Sequence, residues 1–282
     1  MTRRTRTFAV LLTAGALTLP AGTAAAGCTS SLPATNDRAM NHTCTGAHPG
    51  MGLTVPSKKW GESSCTAGFA FADQYKNRYL TIPGTCHLDY ECLEDTVTNE
   101  LPPPLDELVQ PPTCLLPSDS EEEPFYKRGG PVVTDLSGDR VGVIVYAVNK
   151  EDVNFALIRV DRRVRLDPAV PFYGGPVRMA APVRQPEEAY AYSAPAFPGA
   201  PNVRSGVLHA LGGGMYHLAE GFTSVSMGTP VVKPDGSGMG YYGHGFTAGF
   251  GWRVDEYGPA IRRAADRTKL RLRLLTAPVT PR

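Results

Sequence analysis

Six cysteines, six histidines and a run of carboxylates carry most of the chemistry this sequence could offer. The cysteines are Cys28, Cys44, Cys65, Cys86, Cys92 and Cys114. None stands in a CxxC pair, which argues against a zinc ribbon, and an even number allows complete pairing into disulfides. His209 and His217 flank Gly212-Gly213-Gly214, where two imidazoles could share a metal, but a turn explains the glycines without one. That glycine run lacks the Lys-Ser/Thr that a phosphate loop requires. His42 and His48 lie in a Pro/Gly-rich stretch and are expected in solvent. Residues 79–126 hold eleven acids and no Lys or Arg. Carboxylates at that density could hold Ca²⁺, yet no spaced Asp/Asn/Gly ligand loop is present. A solvated acidic face is the expectation, with Cys92 and Cys114 stapling the excursion. No metal and no cofactor are called for.

The elements that must position such residues are short strands. The 282 residues carry 28 Lys+Arg against 27 Asp+Glu, with 42% hydrophobic and 20% charged residues. This excludes general disorder and a polybasic nucleic-acid binder. The 30 Gly and 26 Pro favour strands and turns over a helix bundle. Arg3, Arg4 and Arg6, the apolar run Phe8 to Leu19 and Ala24-Ala25-Ala26 form an export leader over 1–26. No later run is apolar enough to span a bilayer, so no membrane partner is expected after cleavage. Secretion also supplies the oxidising setting that disulfides need. Ala25-Ala26-Gly27-Cys28 doubles as a weak lipobox that would anchor Cys28, but lipidation would leave five cysteines and break the pairing.

Residues 27–60 read as an N-terminal arm that a Cys28–Cys44 bridge would tie down. Cys65 to Phe71 and Tyr79 to Ile82 alternate as a hairpin. Arg140 to Val148 and Asn154 to Val160 pair as antiparallel strands. Val207 to His217, Pro230 to Val232 and Gly238 to Gly243 are further strands, with an Asp235-Gly236 hairpin turn between the last two. Ala260, Ile261, Ala264, Ala265 and Leu270 make a helical stripe amid Arg262, Arg263, Arg267 and Lys269. The apolar face is too small for membrane binding, so a short helix closing a β domain is expected.

Three segments in order resemble the chymotrypsin/trypsin-like serine proteases, particularly their secreted actinobacterial branch. Cys65-Thr-Ala-Gly-Phe…Tyr79-Leu-Thr-Ile-Pro-Gly-Thr-Cys86 is similar to the family's strand that runs from one cysteine to a Thr-Ala-Gly-His-Cys block. Asn154-Phe-Ala-Leu resembles Asp-Phe-Ala-Leu. Ser226-Met-Gly-Thr-Pro-Val-Val232 resembles Gly-Asp-Ser-Gly-Ser-Pro-Val-Val, preceded by the similar strand Arg204-Ser-Gly-Val-Leu208. The resemblance implies a mainly β fold of two packed antiparallel β-barrels with a cleft between them and a short C-terminal helix. It places this domain at 61–275, with an acidic Pro-rich insertion at about 93–130 and a tail at 276–282. It also implies a Cys65–Cys86 bridge, and leaves the other four cysteines to pair by elimination.

The implied chemistry then fails position by position. The family mechanism needs a nucleophilic serine, a histidine to take its proton and an aspartate to hold the histidine. Those positions hold Met227, Thr85 and Asn154. A thioether has no proton to lose, a hydroxyl is no base near neutral pH, and an amide cannot stabilise an imidazolium by charge. Val225 replaces a glycine that lends an oxyanion N–H. The expectation is a secreted protease homologue without protease activity, keeping a cleft for a peptide or protein ligand. By the same resemblance Tyr241, Tyr242, Gly243 and His244 fall where a specificity pocket would be walled. At least one tyrosine is expected in the core, with the other as a candidate to line the cleft. The alternative is an active serine hydrolase with a relocated constellation of Ser226, His87 and Asp152 or Asp89.

Overall fold

The structure, a computed structural model, describes residues 46–58, 61–88, 90–92, 114–117, 123–150, 153–183, 185–193, 203–212, 215–219, 226–247 and 251–279. The first β body contains β1 (Gly52–Ser57), β2 (Gly61–Thr66), β3 (Ala70–Ala72), β4 (Arg78–Ile82), β7 (Val132–Asp135), β8 (Arg140–Lys150), β9 (Val153–Val160) and β16 (Arg273–Leu274). These form one antiparallel sheet in the order β16-β3-β4-β9-β8-β7-β1-β2. A separate pair, β5 (Tyr90–Cys92) and β6 (Cys114–Pro117), sets the backbones of Cys92 and Cys114 opposite each other. The second body is a closed antiparallel barrel. Its strands are β10 (Glu187–Tyr192), β11 (Val203–Gly212), β12 (Met215–Ala219), β13 (Pro230–Val232), β14 (Gly238–Thr247) and β15 (Gly251–Glu256). The chain ends in helix α1 (Tyr257–Thr268) and the return strand β16.

The uninterrupted apolar run of β8 has a topological cause. Nine consecutive residues, Val141 to Asn149, are buried because both faces of the strand are covered. Ile144 and Ala147 enter the interior of the first body, and Val143, Val145 and Val148 face a second core layer. A register shift between Ile144 and Tyr146 lets Val145 and Tyr146 share that second layer. The second layer joins the bodies, since Tyr192, Val232 and Tyr241 of the barrel pack there with Tyr257, Ala260 and Ala264 of α1. The barrel interior is a third cluster around Leu208, Val231, Tyr242 and Val254.

The helix buries Tyr257, Ala260, Ala264 and Thr268, a stripe spaced for a 3.6-residue period, and leaves Arg262 and Arg267 toward solvent. It stops at Lys269, which adopts a left-handed φ of 61° and donates its N–H to Ala265 O.

Four sequence expectations change. The arm is not without regular structure to residue 60, because its second half is β1, paired along β2. Alternate burial of Leu53, Val55 and Ser57 shows a strand pattern that the Pro and Thr residues had masked. Val207 to His217 spans two strands, β11 and β12, with His209 and His217 as cross-strand partners. His48 is buried rather than solvated, since Ala47 bonds Arg165 and Gly50 bonds Ala67 on either side of it. The acidic segment does not stay in solvent to its end, because Phe125 bridges to Tyr146 and carries Glu123 into the fold. Cys28, Cys44, His42, Asp89, Asp152 and Val225 lie outside the described residues, as does the leader.

Candidate functional site

Three separate elements deliver Thr85, Asn154 and Met227 to one place. Thr85 sits in the 3₁₀ turn Gly84–Cys86 that follows β4. This turn lies against β8 and β9 so closely that a Cβ on Gly84 would stand 1.9 Å from Val148 O. Only glycine permits the approach. The turn is also held from the other side, where Cys86 forms a disulfide with Cys65 at the end of β2. Asn154 opens β9 in register with Asn149 of β8. Met227 occupies a tight turn before β13, closed by Thr229 N–H donating to Ser226 O at 3.2 Å. Gly228 supplies that turn's left-handed φ of 93°, and a Cβ there would meet Thr66 O at 1.9 Å. Met227 O in turn accepts from Thr66 N at 2.7 Å, which fastens the barrel's turn to the first body.

The side chains then bond to one another. Thr85 N–H donates to Asn154 Oδ1 at 2.9 Å, and Asn154 Nδ2 donates to Thr85 Oγ1 at 3.3 Å. Thr85 Oγ1 donates to the Met227 sulfur at 3.9 Å. Thr85 and Asn154 are buried, whereas Met227 is half-buried and packs against the interiors of both bodies. The array therefore lies on the seam, with its sulfur end nearest solvent. Chemically it is closed. The hydroxyl donates a hydrogen bond to a thioether and accepts one from an amide, and none of the three side chains is a base near neutral pH.

His87 is directed elsewhere. Its Nδ1 lies 2.6 Å from Pro56 O, which can only accept, so Nδ1 carries the proton. Nε2 lies 3.1 Å from the Tyr126 hydroxyl. With 3% exposure, this imidazole packs between β1 and Tyr126. Ser226 spends its carbonyl on Thr229 N and Oγ1. No imidazole among the described side chains bonds to it.

Tyr241 and Tyr242 are both core residues. They are 2% and 4% exposed and point to opposite faces of β14. Tyr241 stacks on Tyr257 at 4.9 Å and donates its hydroxyl to Asn154 O, so it braces the array from behind. Tyr242 fills the barrel interior, where burial raises its phenol above the ordinary value. Neither ring is left to line a cleft. Strand alternation had suggested one in and one out, but β14 is covered on both faces. Gly243 is buried too, and of His244 only the strand position is described.

Residues that sequence reasoning missed hold the site in place. Tyr257 O–H lies 2.9 Å from Thr81 Oγ1 and accepts from Phe69 N at 3.0 Å, linking the start of α1 to the hairpin that leads to Thr85. Glu123 receives Tyr146 O–H at 2.6 Å and Arg263 at 2.9 and 3.2 Å, with Lys150 at 3.6 Å. Burial alone would raise its pKa, but the Arg263 and Tyr146 bonds and the two cations outweigh that and bring it down to about 2. Its only sequence signal was position, as the last acid before Phe125-Tyr126, where apolar residues resume.

Two antiparallel β bodies, one of them a closed barrel, with a C-terminal helix packed on their junction, define the trypsin-like fold. Among solved structures the chain is similar to a glutamic acid specific serine protease described as using a histidine triad in substrate binding. Identity is 14%, coverage 79% of this chain and 98% of that one, and the TM-score 0.49. It is likewise similar to the Nocardiopsis protease NAPase (15% identity, 80% and 100% coverage, TM-score 0.46). A third is the thermostable serine protease AL20 from an extremophilic microorganism (12%, 78% and 96%, TM-score 0.43). No protein-family profile matches the chain, and neither does any curated protein sequence.

Proposed function

We propose that the mature protein is a secreted trypsin-fold protein that does not perform acyl transfer and that engages a peptide or protein segment at the seam between its two β bodies. The observation that carries this reading is the closed Thr85–Asn154–Met227 array, which has neither nucleophile nor base where the resemblance places them. Secretion rests on the leader over residues 1–26 and on a disulfide that an oxidising compartment maintains. Met227 suits a contact role. It is the one half-exposed member of the array, and a flexible thioether adapts to varied apolar partners.

The test is a fluorophosphonate probe applied to the purified mature protein beside an active serine protease. No covalent labelling of this protein is expected. Labelling at any serine overturns the reading. Casein hydrolysis that disappears in both Ser226→Ala and His87→Ala would instead establish the relocated constellation. For the binding half, methyl-labelled methionine gives a direct readout. The Met227 resonance should shift when a mixed peptide library is added, and a resonance unmoved at saturating peptide removes the seam as a docking site.

A further inference from the structure

A cavity of about 560 Å³ opens on the first body between the β3–β4 turn and the end of β9. Its lining includes Tyr75, Lys76, Arg78, Arg159, Asp161 and Arg162. Four cations thus face one carboxylate, on a chain whose formal net charge is only +1. The single carboxylate is already engaged, because Asp161 Oδ2 receives Arg140 Nε at 2.7 Å. Arg78 is engaged as well. Its guanidinium donates to Val164 O at 2.9 Å and Arg162 O at 3.3 Å, fixing the loop after β9 against the turn. Among the described residues, no hydrogen bond or ion pair occupies the side chains of Lys76, Arg159 or Arg162.

The turn that presents Lys76 is rigid. Asp73 accepts from the N–H groups of Tyr75 and Asn77 at 2.8 and 2.9 Å, from Asn77 Nδ2 at 2.8 Å and from Tyr79 O–H at 2.8 Å. Lys76 is held at a φ of 66°, a left-handed position that a lysine adopts only when its surroundings impose it. Next to it Tyr75 is 72% exposed, the most exposed large hydrophobic side chain among the described residues. A preorganised concavity with uncommitted cations and a bare aromatic ring at its edge matches a ligand that joins an oxyanion to a ring.

We propose that this cavity binds a phosphate or sulfate ester carried on a sugar-like ring, with Lys76, Arg159 and Arg162 holding the oxyanion and Tyr75 stacking on the ring. The site lies apart from the seam and does not depend on the reading given to the array. The full mature protein is titrated calorimetrically with inorganic pyrophosphate at an ionic strength fixed with NaCl. Saturable binding is expected, weakened about tenfold or more in a Lys76→Gln/Arg162→Gln double variant and unchanged in Arg262→Gln on the helix. No heat beyond the NaCl control overturns the proposal, as does equal affinity in the double variant. Ribose 5-phosphate and glucosamine 6-sulfate then separate the two ester classes. Tyr75→Ala should weaken whichever binds while sparing pyrophosphate, and an unchanged affinity refutes the stacking contact. Tighter binding of poly-glutamate than of either ester would overturn the assignment in favour of an acidic peptide.

Discussion

Replacing Glu123 with Gln removes one negative charge from the end of the acidic segment and keeps the side-chain shape. The carboxylate is 12% exposed and is held by Arg263, Lys150 and Tyr146, drawing together the inserted segment, β8 and α1. Its pKa falls from an ordinary 4.5 to about 2. Each unit of such a shift corresponds to about 1.4 kcal/mol, so the ionised form contributes at most about 3–4 kcal/mol near neutrality. Arg263 and Lys150 are about a third exposed, and solvent reduces this to about 2–3 kcal/mol. The sign follows from the direction of the shift. The folded-state pKa is depressed, so the contribution is complete above pH 4.5 and is lost as pH falls through the folded value near 2. Urea unfolding of wild type and Glu123→Gln at pH 7 and pH 3 measures it. The variant should be about 2–3 kcal/mol less stable at pH 7, with the gap less than half as large at pH 3. An equal gap at both pH values would refute the electrostatic account and leave only packing. No gap at pH 7 would show that the three cationic and hydroxyl contacts add nothing net.

Tyr257→Phe should cost about 1–2 kcal/mol in denaturant unfolding, because it leaves Phe69 N–H and Thr81 without their buried partner. Cys65→Ser with Cys86→Ser opens a loop with a sequence separation of 21, and chain entropy puts the loss at about 3 kcal/mol, readable as a lower urea midpoint. His48 has its pKa lowered by burial, partly opposed by its Pro49 bond and by Asp167. The fold therefore favours the neutral ring, and stability should decline as pH drops below the ordinary value of 6.5, levelling off below the depressed folded value. His48→Gln should flatten that decline in a thermal-unfolding series from pH 8 to 5, and an unaltered slope would assign the loss to other groups.

Local pattern carried much of the architecture. Alternation and turn chemistry marked the β3–β4 hairpin, the β8–β9 pair and the Asp235-Gly236 turn, and a 3.6-residue stripe marked α1, because each depends on neighbours close in the chain. Residue type alone supplied the thioether, hydroxyl and amide of Met227, Thr85 and Asn154. Their meeting was a tertiary matter. It depends on Gly84 and Gly228 allowing backbone approaches that any Cβ would block, between segments more than 60 residues apart. Burial was the least legible property. The same strand pattern fits a tyrosine facing solvent or a second layer, and only packing of the two bodies and the helix placed Tyr241 and Tyr242 both inside. Charged and polar groups obeyed the same limit. Glu123 and His48 lie in stretches that read as solvated. Glu123 is compensated for lost water by Arg263, distant in sequence. The His48 ring instead bonds its neighbour Pro49 O and is buried by long-range packing near Tyr192 and by the backbone bonds of Ala47 and Gly50, which no window of neighbouring residues can reveal.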